Sequence, residues 1–263
     1  MPIDNELYDR LGGSWWDEDN PLNLLHGSLT SARMEYFRGV LRDRLGGRAA
    51  GLKALDIGCG AGLLAEEFAR LGCEVTGVDP SEPALAAARR HAADGGLAIR
   101  YLAGSGEELP LADASFDVVL CCDVLEHVAD LPRVIAETAR VMKPDGLYLF
   151  DTVNRTAASW LLAIKILQDW PPTRIIDTEL HSWDMFIKPR ELAHLLQRNG
   201  LEPGGLAGLA PRANPLAALS ALRAARRGRI SYGELGRRLD FGQIRSTALS
   251  YMGYASKAPE PMG

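Results

Sequence analysis

The sequence predicts an α/β fold in which a mostly parallel sheet carries helices on both faces. From residue 52 onward, short apolar runs alternate with longer stretches whose apolar residues recur at helical spacing. The apolar runs are continuous rather than alternating, which is typical of strands buried on both sides. Strands and helices that alternate in this way form parallel sheets with crossover helices.

The predicted elements follow one another along the chain. A helix over 30–45 precedes the sheet, and an apolar helix over 157–170 and a helix over 190–199 follow the fifth strand. A Pro-Pro pair at 171–172 ends the apolar helix, because proline cannot continue it. The predicted strands are 52–57, 74–78, 97–102, 116–121 and 146–151, and the helices between them are 62–71, 82–94 and 130–142.

Four segments are expected. Residues 1–50 form an N-terminal helical cap, and residues 51–210 form the core, with a lid helix over 157–176. Residues 211–247 differ in character, because arginines recur among alanine and leucine, and we expect a helical insertion there. Residues 248–263 supply the final strand and a tail.

Composition narrows the class of protein. With 263 residues, 47% of them hydrophobic, the chain is long enough for one large domain or a domain with an added lid. A net charge of −5 and a pI near 5.6 argue against nucleic acid as the main partner. The polar N-terminus does not resemble a signal peptide, no apolar run reaches the ~18 residues of a membrane span, and the four cysteines show no disulfide or zinc spacing. We therefore expect a cytoplasmic protein, and the oligomeric state stays open.

The stretch L-D-I-G-C-G-A-G-L-L, residues 55–64, places glycines where a strand gives way to a helix. Glycine permits positive φ and lets the backbone approach a ligand. Counting from Gly58, the sixth position is Leu63, where a dinucleotide fingerprint requires glycine. Asp56 suits a cation rather than a pyrophosphate, and Asp79, at the end of the second strand, can accept hydrogen bonds from both hydroxyls of a ribose. A ribose, an amino cation and no phosphate fit S-adenosylmethionine (SAM).

These residues resemble the class I SAM-dependent methyltransferases. The motif D-I-G-C-G-A-G covers residues 56–62, and the later matching stretches are L-P-L-A-D-A-S-F-D-V-V (109–119) and V-M-K-P-D-G (141–146). The resemblance implies a Rossmann-like fold with a seven-stranded, mostly parallel sheet and a helical lid. It also implies SAM as cofactor. Many relatives have Gly-Asp-Ala at the adenine edge, whereas this chain has Gly-Ser-Gly. The implied contacts to SAM come from Asp56, Gly58, Gly60, Asp79, Ser105 and Gly106.

Sequence outside the core resembles, more narrowly, the O-methyltransferases of ubiquinone biosynthesis. W-W-D (15–17), L-E-H-V (125–128) and H-S-W-D-M-F-I-K-P-R-E-L (181–192) occur in the order typical of that family. The resemblance implies that Arg33, in the N-terminal helix, and Cys122, just after the fourth strand, also contact SAM.

The same resemblance implies a divalent metal. The family carries Glu-x-x-Glu-His after the fourth strand, and here the corresponding residues are Asp123, Glu126 and His127. On a helix these positions share one face, so one interpretation is a site for Mg²⁺, Mn²⁺ or Zn²⁺. The alternative is a metal-free site with the histidine packed beneath it. His127 is a candidate for two roles, metal ligand if a metal binds and general base otherwise. His181, in the loop before a helix, is the second candidate base.

The apolar helix over 157–170 has a narrow polar face of Lys165, Gln168 and Asp169. A lipophilic acceptor favours a surface of this kind, which either roofs the site or contacts a membrane peripherally. Packing on the sheet is the remaining alternative. The Arg-rich stretch 214–240 would hold an anionic lipid, a charged substrate or no ligand at all.

Together these observations predict an O-methyltransferase that transfers a methyl group from SAM to a phenolic or catechol hydroxyl of a quinol or related small aromatic. Two alternatives stay open: a small-molecule C- or N-methyltransferase of secondary metabolism, and a SAM-binding module without catalysis. Methylation of nucleic acid is disfavoured, because C-C-D-V (121–124) stands where an aromatic motif would stack a flipped base.

Overall fold

The structure of the chain, a computed structural model, describes residues 6–175 and 180–259. The end of the predicted lid helix at 176, residues 1–5 of the predicted cap and residues 260–263 of the predicted tail lie outside the described residues. The described chain forms one sheet with helices on both faces, which confirms the predicted α/β class.

The sheet is mostly parallel. Its strands are β1 (Lys53–Ile57), β2 (Glu74–Asp79), β3 (Ile99–Ala103), β4 (Phe116–Cys122), β5 (Met142–Val153), β6 (Leu201–Pro211), β7 (Phe241–Ile244) and β8 (Ser250–Lys257). They lie in the order β3-β2-β1-β4-β5-β8-β6-β7. The first five strands run parallel, and β8 enters antiparallel between β5 and β6. The chain order reverses between β1 and β4, and ligands of open α/β sheets bind at such a switch point.

The predicted count of seven strands is wrong by one among the described residues. The extra strand, β7, comes from the segment 211–247, which was expected to be helical. It pairs antiparallel with the end of β6, and Phe241 lies opposite Pro211. The chain thereby covers part of an edge that would otherwise present unpaired backbone groups. The strand lies far along the sheet from β1 and β2, so it leaves the switch point unchanged.

The helices agree closely with the predicted ones. They are α1 (Glu6–Gly12), α2 (Ser28–Leu45), α3 (Leu63–Arg70), α4 (Glu82–Asp94), α5 (Leu131–Val141), α6 (Ala157–Ser159), α7 (Pro189–Arg198), α8 (Pro215–Arg226) and α9 (Tyr232–Leu239). Short 3₁₀ turns occupy Pro21–Leu25 and Trp183–Met185. The single turn of α6 continues as a π-helix over Trp160–Asp169, and we call residues 157–169 the lid segment.

Two apolar layers hold the sheet. On one face, Phe37 of α2 and Phe68 of α3 are fully buried against the strands. On the other, Ile135 of α5 and Leu192 of α7 are buried in the same way. Because burial of one such side chain contributes about 1.5–3 kcal/mol, these layers account for why the predicted helices flank the sheet on both sides.

The segment from α8 to β7 packs on two other parts of the chain. Leu222 of α8 and Leu235 of α9 share an apolar cluster with Leu167 of the lid segment. On the surface, the Arg237 guanidinium of α9 bonds the Glu18 carboxylate at 2.7 Å, so one arginine of this segment neutralises a charge of the cap. The segment from α8 to β7 therefore packs against both the lid segment and the cap.

No helix in the described stretches 6–175 and 180–259 has the length and apolar character needed to cross a membrane.

Candidate active site

A cavity of about 780 Å³ opens at the carboxyl ends of β1, β2 and β4. Its walls come from the core strands, the cap and the lid segment. Every site residue predicted from the sequence lies on these walls: Arg33, Asp56, Gly58, Gly60, Asp79, Ser105, Gly106, Cys122, Asp123, Glu126, His127 and His181.

The glycine loop forms the floor of the cavity. Gly58 and Gly60 have φ of 68° and 50°, a conformation that L-residues adopt at a cost. A Cβ on Gly58 would collide with Val124, and one on Gly60 would come within 2.8 Å of the Trp15 ring. The predicted positive φ is confirmed at both glycines, and the absent Cβ makes room for Val124 and Trp15.

Two buried carboxylates flank the glycine loop. The Asp79 carboxylate accepts hydrogen bonds from the backbone N–H groups of Gly60 at 2.8 Å and Ser81 at 2.9 Å. Burial raises the pKa of Asp79 above its usual range. Burial, together with the charge of Asp79, raises the pKa of Asp56 to about 7. Two acids held this close in a buried wall favour a cationic ligand between or beside them.

Ser105 and Gly106 follow β3 and lie at the side of the cavity next to β1. A Cβ on Gly106 would stand 3.1 Å from Ile57, so the loop packs directly on the first strand. The Gly104 backbone N–H bonds the Asp79 carbonyl at 3.2 Å, which ties this loop to the acid that ends β2. The residues predicted to contact the adenine and the residue predicted to bind the ribose come from separate motifs, and the fold places them side by side.

Arg33 reaches the cavity from α2 and is almost wholly buried. Its guanidinium Nε and Nη2 donate to the carboxylates of Asp151 and Asp123. Asp151, a buried residue of β5, also accepts a hydrogen bond from the Asp123 backbone N–H at 2.9 Å. Cys122 lies beside this group, and burial raises the pKa of its thiol well above the usual range. Our sequence reasoning missed Asp151, although an acid that ends an apolar strand was a usable signal.

His127 and His181 come together on the opposite wall. Their ring centroids are 4.8 Å apart. Burial, then the charge of His181, lowers the pKa of His127 to about 3, and burial also lowers the pKa of His181. Both imidazoles are therefore neutral at physiological pH. The Nδ1 atom of His127 is buried and has no hydrogen-bond partner among residues 6–175 and 180–259.

The lid segment forms the roof. Ala163, Leu167 and Gln168 line the cavity, while Trp160 and Leu161 are exposed on the outer side. Gln168 Oε1 accepts hydrogen bonds from the backbone N–H groups of Leu180 and His181, each at 2.9 Å. Gln168 thus holds His181 in place instead of joining a solvent-facing stripe with Lys165 and Asp169, since π-helical winding changes which positions share a face.

The chain resembles known proteins over most of its length. A family model described as "Methyltransferase domain" matches residues 55–150, from β1 into β5. Ubiquinone biosynthesis O-methyltransferase of Azorhizobium caulinodans is 37% identical over 217 residues, which are 79% of this chain and 83% of that protein. The protein of the same name from Methylocella silvestris is 40% identical over 209 residues, 74% of this chain and 79% of that protein.

The chain belongs to the ubiquinone biosynthesis O-methyltransferase family. Like the members of that family it is a SAM-dependent methyltransferase, which confirms the predicted family, enzyme class and cofactor. A solved magnesium protoporphyrin IX methyltransferase from Synechocystis with bound SAH has a TM-score of 0.59 at 17% identity, covering 88% of this chain and 84% of that one. At this identity the likeness concerns the fold.

The cavity of this family member fits SAM. The glycine loop lines the cavity, and its shape requires glycine at positions 58 and 60, because a Cβ there would collide with Val124 or Trp15. The buried carboxylates of Asp56 and Asp79 suit the cationic and ribose parts of the molecule, which carries no phosphate. SAM supplies, when bound, a methyl group on a positively charged sulfur.

A metal does not fit the residues after β4. Asp123, Glu126 and His127 lie in a turn, not on the helix that our i, i+3, i+4 argument assumed. Asp123 has φ of 53° and bonds Arg33, and Glu126 is buried and accepts a hydrogen bond from Thr152 Oγ1 at 2.7 Å. Within the described residues no group of three His, Cys, Asp or Glu side chains could hold a metal ion. Among the described residues this set does not form a metal site, because other partners occupy its carboxylates.

The cap supplies two aromatic residues that the sequence argument did not assign to the site. Trp15 covers Gly60, and Tyr8 stands in edge-to-face contact with His127, with ring centroids 6.0 Å apart. The neighbouring Trp16 is stacked on His91 of α4, with ring centroids 3.5 Å apart, and its Nε1 donates to the Ala61 carbonyl at 2.9 Å. Trp15 and Trp16 belong to the W-W-D stretch that resembles the family. The sequence does not predict which residues these two side chains contact, because Gly60 and His91 lie far away along the chain.

Proposed function

We propose that this chain methylates a phenolic or catechol hydroxyl of a ubiquinone precursor or a related small aromatic. The observation that carries the proposal is the neutral imidazole of His127, whose buried Nδ1 lacks a partner, beside His181 in the cavity. A buried polar atom without a partner costs about 1–3 kcal/mol, and a hydroxyl group of an acceptor would satisfy it.

The cofactor side of the cavity would hold SAM through residues already described. Asp79 would accept hydrogen bonds from the ribose hydroxyls, and Ser105 and Gly106 would contact the adenine. Asp56 pairs with the ammonium group, and Arg33, with Cys122 beside it, binds the carboxylate of the same end. Because Nε and Nη2 of Arg33 already donate to Asp151 and Asp123, Nη1 is the atom that would donate to this carboxylate.

On the acceptor side of the cavity, one proton must be removed from the hydroxyl group that is methylated. As the new O–CH₃ bond forms and the CH₃–S⁺ bond breaks, the acceptor oxygen becomes strongly acidic. His127 accepts the hydroxyl hydrogen bond and then takes the proton, with His181 next to it. A weakly basic, neutral imidazole is sufficient for this transfer, because the proton leaves an oxygen that is already bonded to the methyl group. The carboxylate of Asp123 raises the pKa of both histidines against the effect of burial and so favours the imidazolium that results.

Product analysis tests the reaction. The chain is incubated with SAM and a panel of polyprenyl catechols and plain phenols, with and without EDTA, and products are identified by mass spectrometry. We expect O-methylated products and no effect of EDTA, because Asp123 and Glu126 already have partners. A methyl group on carbon or nitrogen, or no methylation of any phenol, would contradict the proposal.

Substitution tests the base. His127→Gln should lower kcat by about 100-fold or more and leave SAM affinity within about twofold, since general bases contribute 10²–10⁴-fold. His194, which is exposed on α7 and outside the cavity, provides the matched control His194→Gln. Equal kcat values for the two variants would show that His127 is not the base.

We further propose that the outer face of the lid segment touches a membrane and so receives a lipophilic acceptor. Trp160 and Leu161 are 41% and 52% exposed, and the Lys165 ammonium lies over the Trp160 ring at 5.4 Å. Exposed aromatic residues with flanking cations are typical of interfacial segments. The double change Trp160→Ala, Leu161→Ala should lower co-sedimentation with phosphatidylglycerol vesicles several-fold, whereas Leu206→Ala, at an exposed leucine of β6, should not.

A further inference from the structure

Tyr8 of the cap contacts His127, the proposed base. It stands on α1 and lines the cavity. Its ring makes the edge-to-face contact with His127 at an interplanar angle of 75°, and it stacks at 6.2 Å on Trp15. Trp15 in turn packs over Gly60 of the glycine loop. One stack of rings therefore joins the floor of the cofactor site to the proposed base.

The hydroxyl group of Tyr8 has no hydrogen-bond partner in the described parts of the chain, 6–175 and 180–259. Tyr36 and Tyr251 each donate the hydroxyl proton to a backbone carbonyl, at 2.6 Å and 3.1 Å respectively. The buried hydroxyls of Tyr101 and Tyr148 also lack a partner among these residues, but unlike Tyr8 they do not line the cavity. Tyrosine hydroxyls that leave bulk water normally find a partner. The free hydroxyl of Tyr8 is thus a donor available to a bound molecule.

The surroundings of Tyr8 keep that donor protonated. Burial, then the carboxylates of Asp123, Glu126 and Asp79, raises its pKa above the usual range. These carboxylates belong to the turn beside His127 and to the ribose acid of β2. The ring contacts with Trp15 and His127 place Tyr8 between the cofactor side and the acceptor side of the cavity.

We propose that Tyr8 is a specificity-determining residue that donates a hydrogen bond to a second oxygen of the acceptor, ortho to the hydroxyl that faces His127. The inference rests on the proposed function. Two unpaired groups on rings in contact, one a donor and the other an acceptor, match two adjacent oxygens on one aromatic ring. A monophenol would satisfy His127 and leave the Tyr8 hydroxyl desolvated and unpaired, which sites of this kind reject.

Paired substrates test the inference. kcat/KM is measured for a catechol and for the monophenol with the same ring substituent, in the unchanged chain and in Tyr8→Phe. We expect the unchanged chain to prefer the catechol by about tenfold, the worth of one good hydrogen bond. Tyr8→Phe should remove that preference by slowing the catechol, which loses a hydrogen bond, and by speeding the monophenol, which no longer leaves a hydroxyl unpaired.

Two controls separate specificity from structure. Tyr36→Phe removes a hydroxyl that bonds Gly205 outside the cavity, and it should keep the catechol preference. SAM affinity, measured by calorimetry, should be the same in Tyr8→Phe as in the unchanged chain. Equal kcat/KM for the two substrates in the unchanged chain, or equal losses on both in Tyr8→Phe, would overturn the inference and leave O-methylation standing. Methylation of neither substrate would overturn the proposed function and the inference with it.

Discussion

Gly60 shows how one missing Cβ shapes the cofactor site. Its φ of 50° and the Trp15 ring at 2.8 Å from a would-be Cβ leave no room for a side chain. Gly60→Ala should therefore displace either the loop or Trp15, and we expect SAM affinity, measured by calorimetry, to fall by about tenfold or more.

A substitution at Gly96 is the control that separates the effect of backbone strain from the effect of a clash with Trp15. It also has positive φ, 67°, but a Cβ there would meet nothing within 4 Å. Gly96→Ala should lower the free energy of unfolding by about 1 kcal/mol and leave SAM affinity unchanged. If both alanine variants bind SAM normally, contact with Trp15 does not matter for the loop.

The raised pKa of Asp56 should make SAM binding depend on pH. Burial and the charge of Asp79 raise its pKa to about 7, so at pH 6 the carboxyl is mostly protonated and cannot pair with an ammonium group. As the pH rises through 7, the carboxylate forms and binding of the cation strengthens. SAM affinity should rise by up to about tenfold per pH unit below pH 7 and level off above it.

The variant Asp56→Asn isolates this effect from the other acids of the cavity. It has no proton to lose, so calorimetry between pH 5.5 and 8.5 should give weaker affinity with a flatter dependence on pH. A slope equal to that of the unchanged chain would mean that another group, such as Asp79, carries the linkage.

At the scale of elements, the lid segment depends on the insertion that packs against it. Leu235 of α9 is fully buried in the cluster that includes Leu167 of the lid segment. Leu→Ala changes at such positions cost about 2–5 kcal/mol. Leu235→Ala should therefore speed hydrogen exchange of the amides of residues 160–169 by on the order of tenfold or more, as read by mass spectrometry.

The substitution Leu192→Ala, in α7, is the matched control for Leu235→Ala. It is equally buried, but it packs in the layer beneath the sheet with Leu196 and Leu201. Leu192→Ala should destabilise the fold by a similar amount and affect the lid segment no more than other elements. The same exchange pattern in both variants would mean that the insertion does not brace the lid segment.

At the scale of the whole molecule, cap, core and lid segment meet around one cavity, so a ligand there should stabilise the entire fold. At 100 times its Kd, SAM adds about 2.7 kcal/mol to the free energy of unfolding. For a chain of this size we expect a rise in Tm of roughly 5–10 °C in a thermal melt. NAD⁺ and ATP should give no comparable rise, and Asp79→Ala should abolish the effect of SAM.

The sequence by itself determined the α/β class, the parallel strands, the glycine loop and Asp79 as its acidic partner. These features are local: apolar periodicity sets an element, and a glycine at a strand end sets a turn. The succession of motifs typical of the family is local in the same sense.

Only the tertiary structure decided which groups meet. Local spacing placed Asp123, Glu126 and His127 on one helix face, yet they lie in a turn, and Arg33, 90 residues away from Asp123, bonds its carboxylate. Likewise Asp151 as a partner of Arg33 and Tyr8 beside His127 arise from segments far apart in the chain. The physical reason is that burial and pairing of charges depend on every element packed around a site, whereas periodicity reports only the element that carries it.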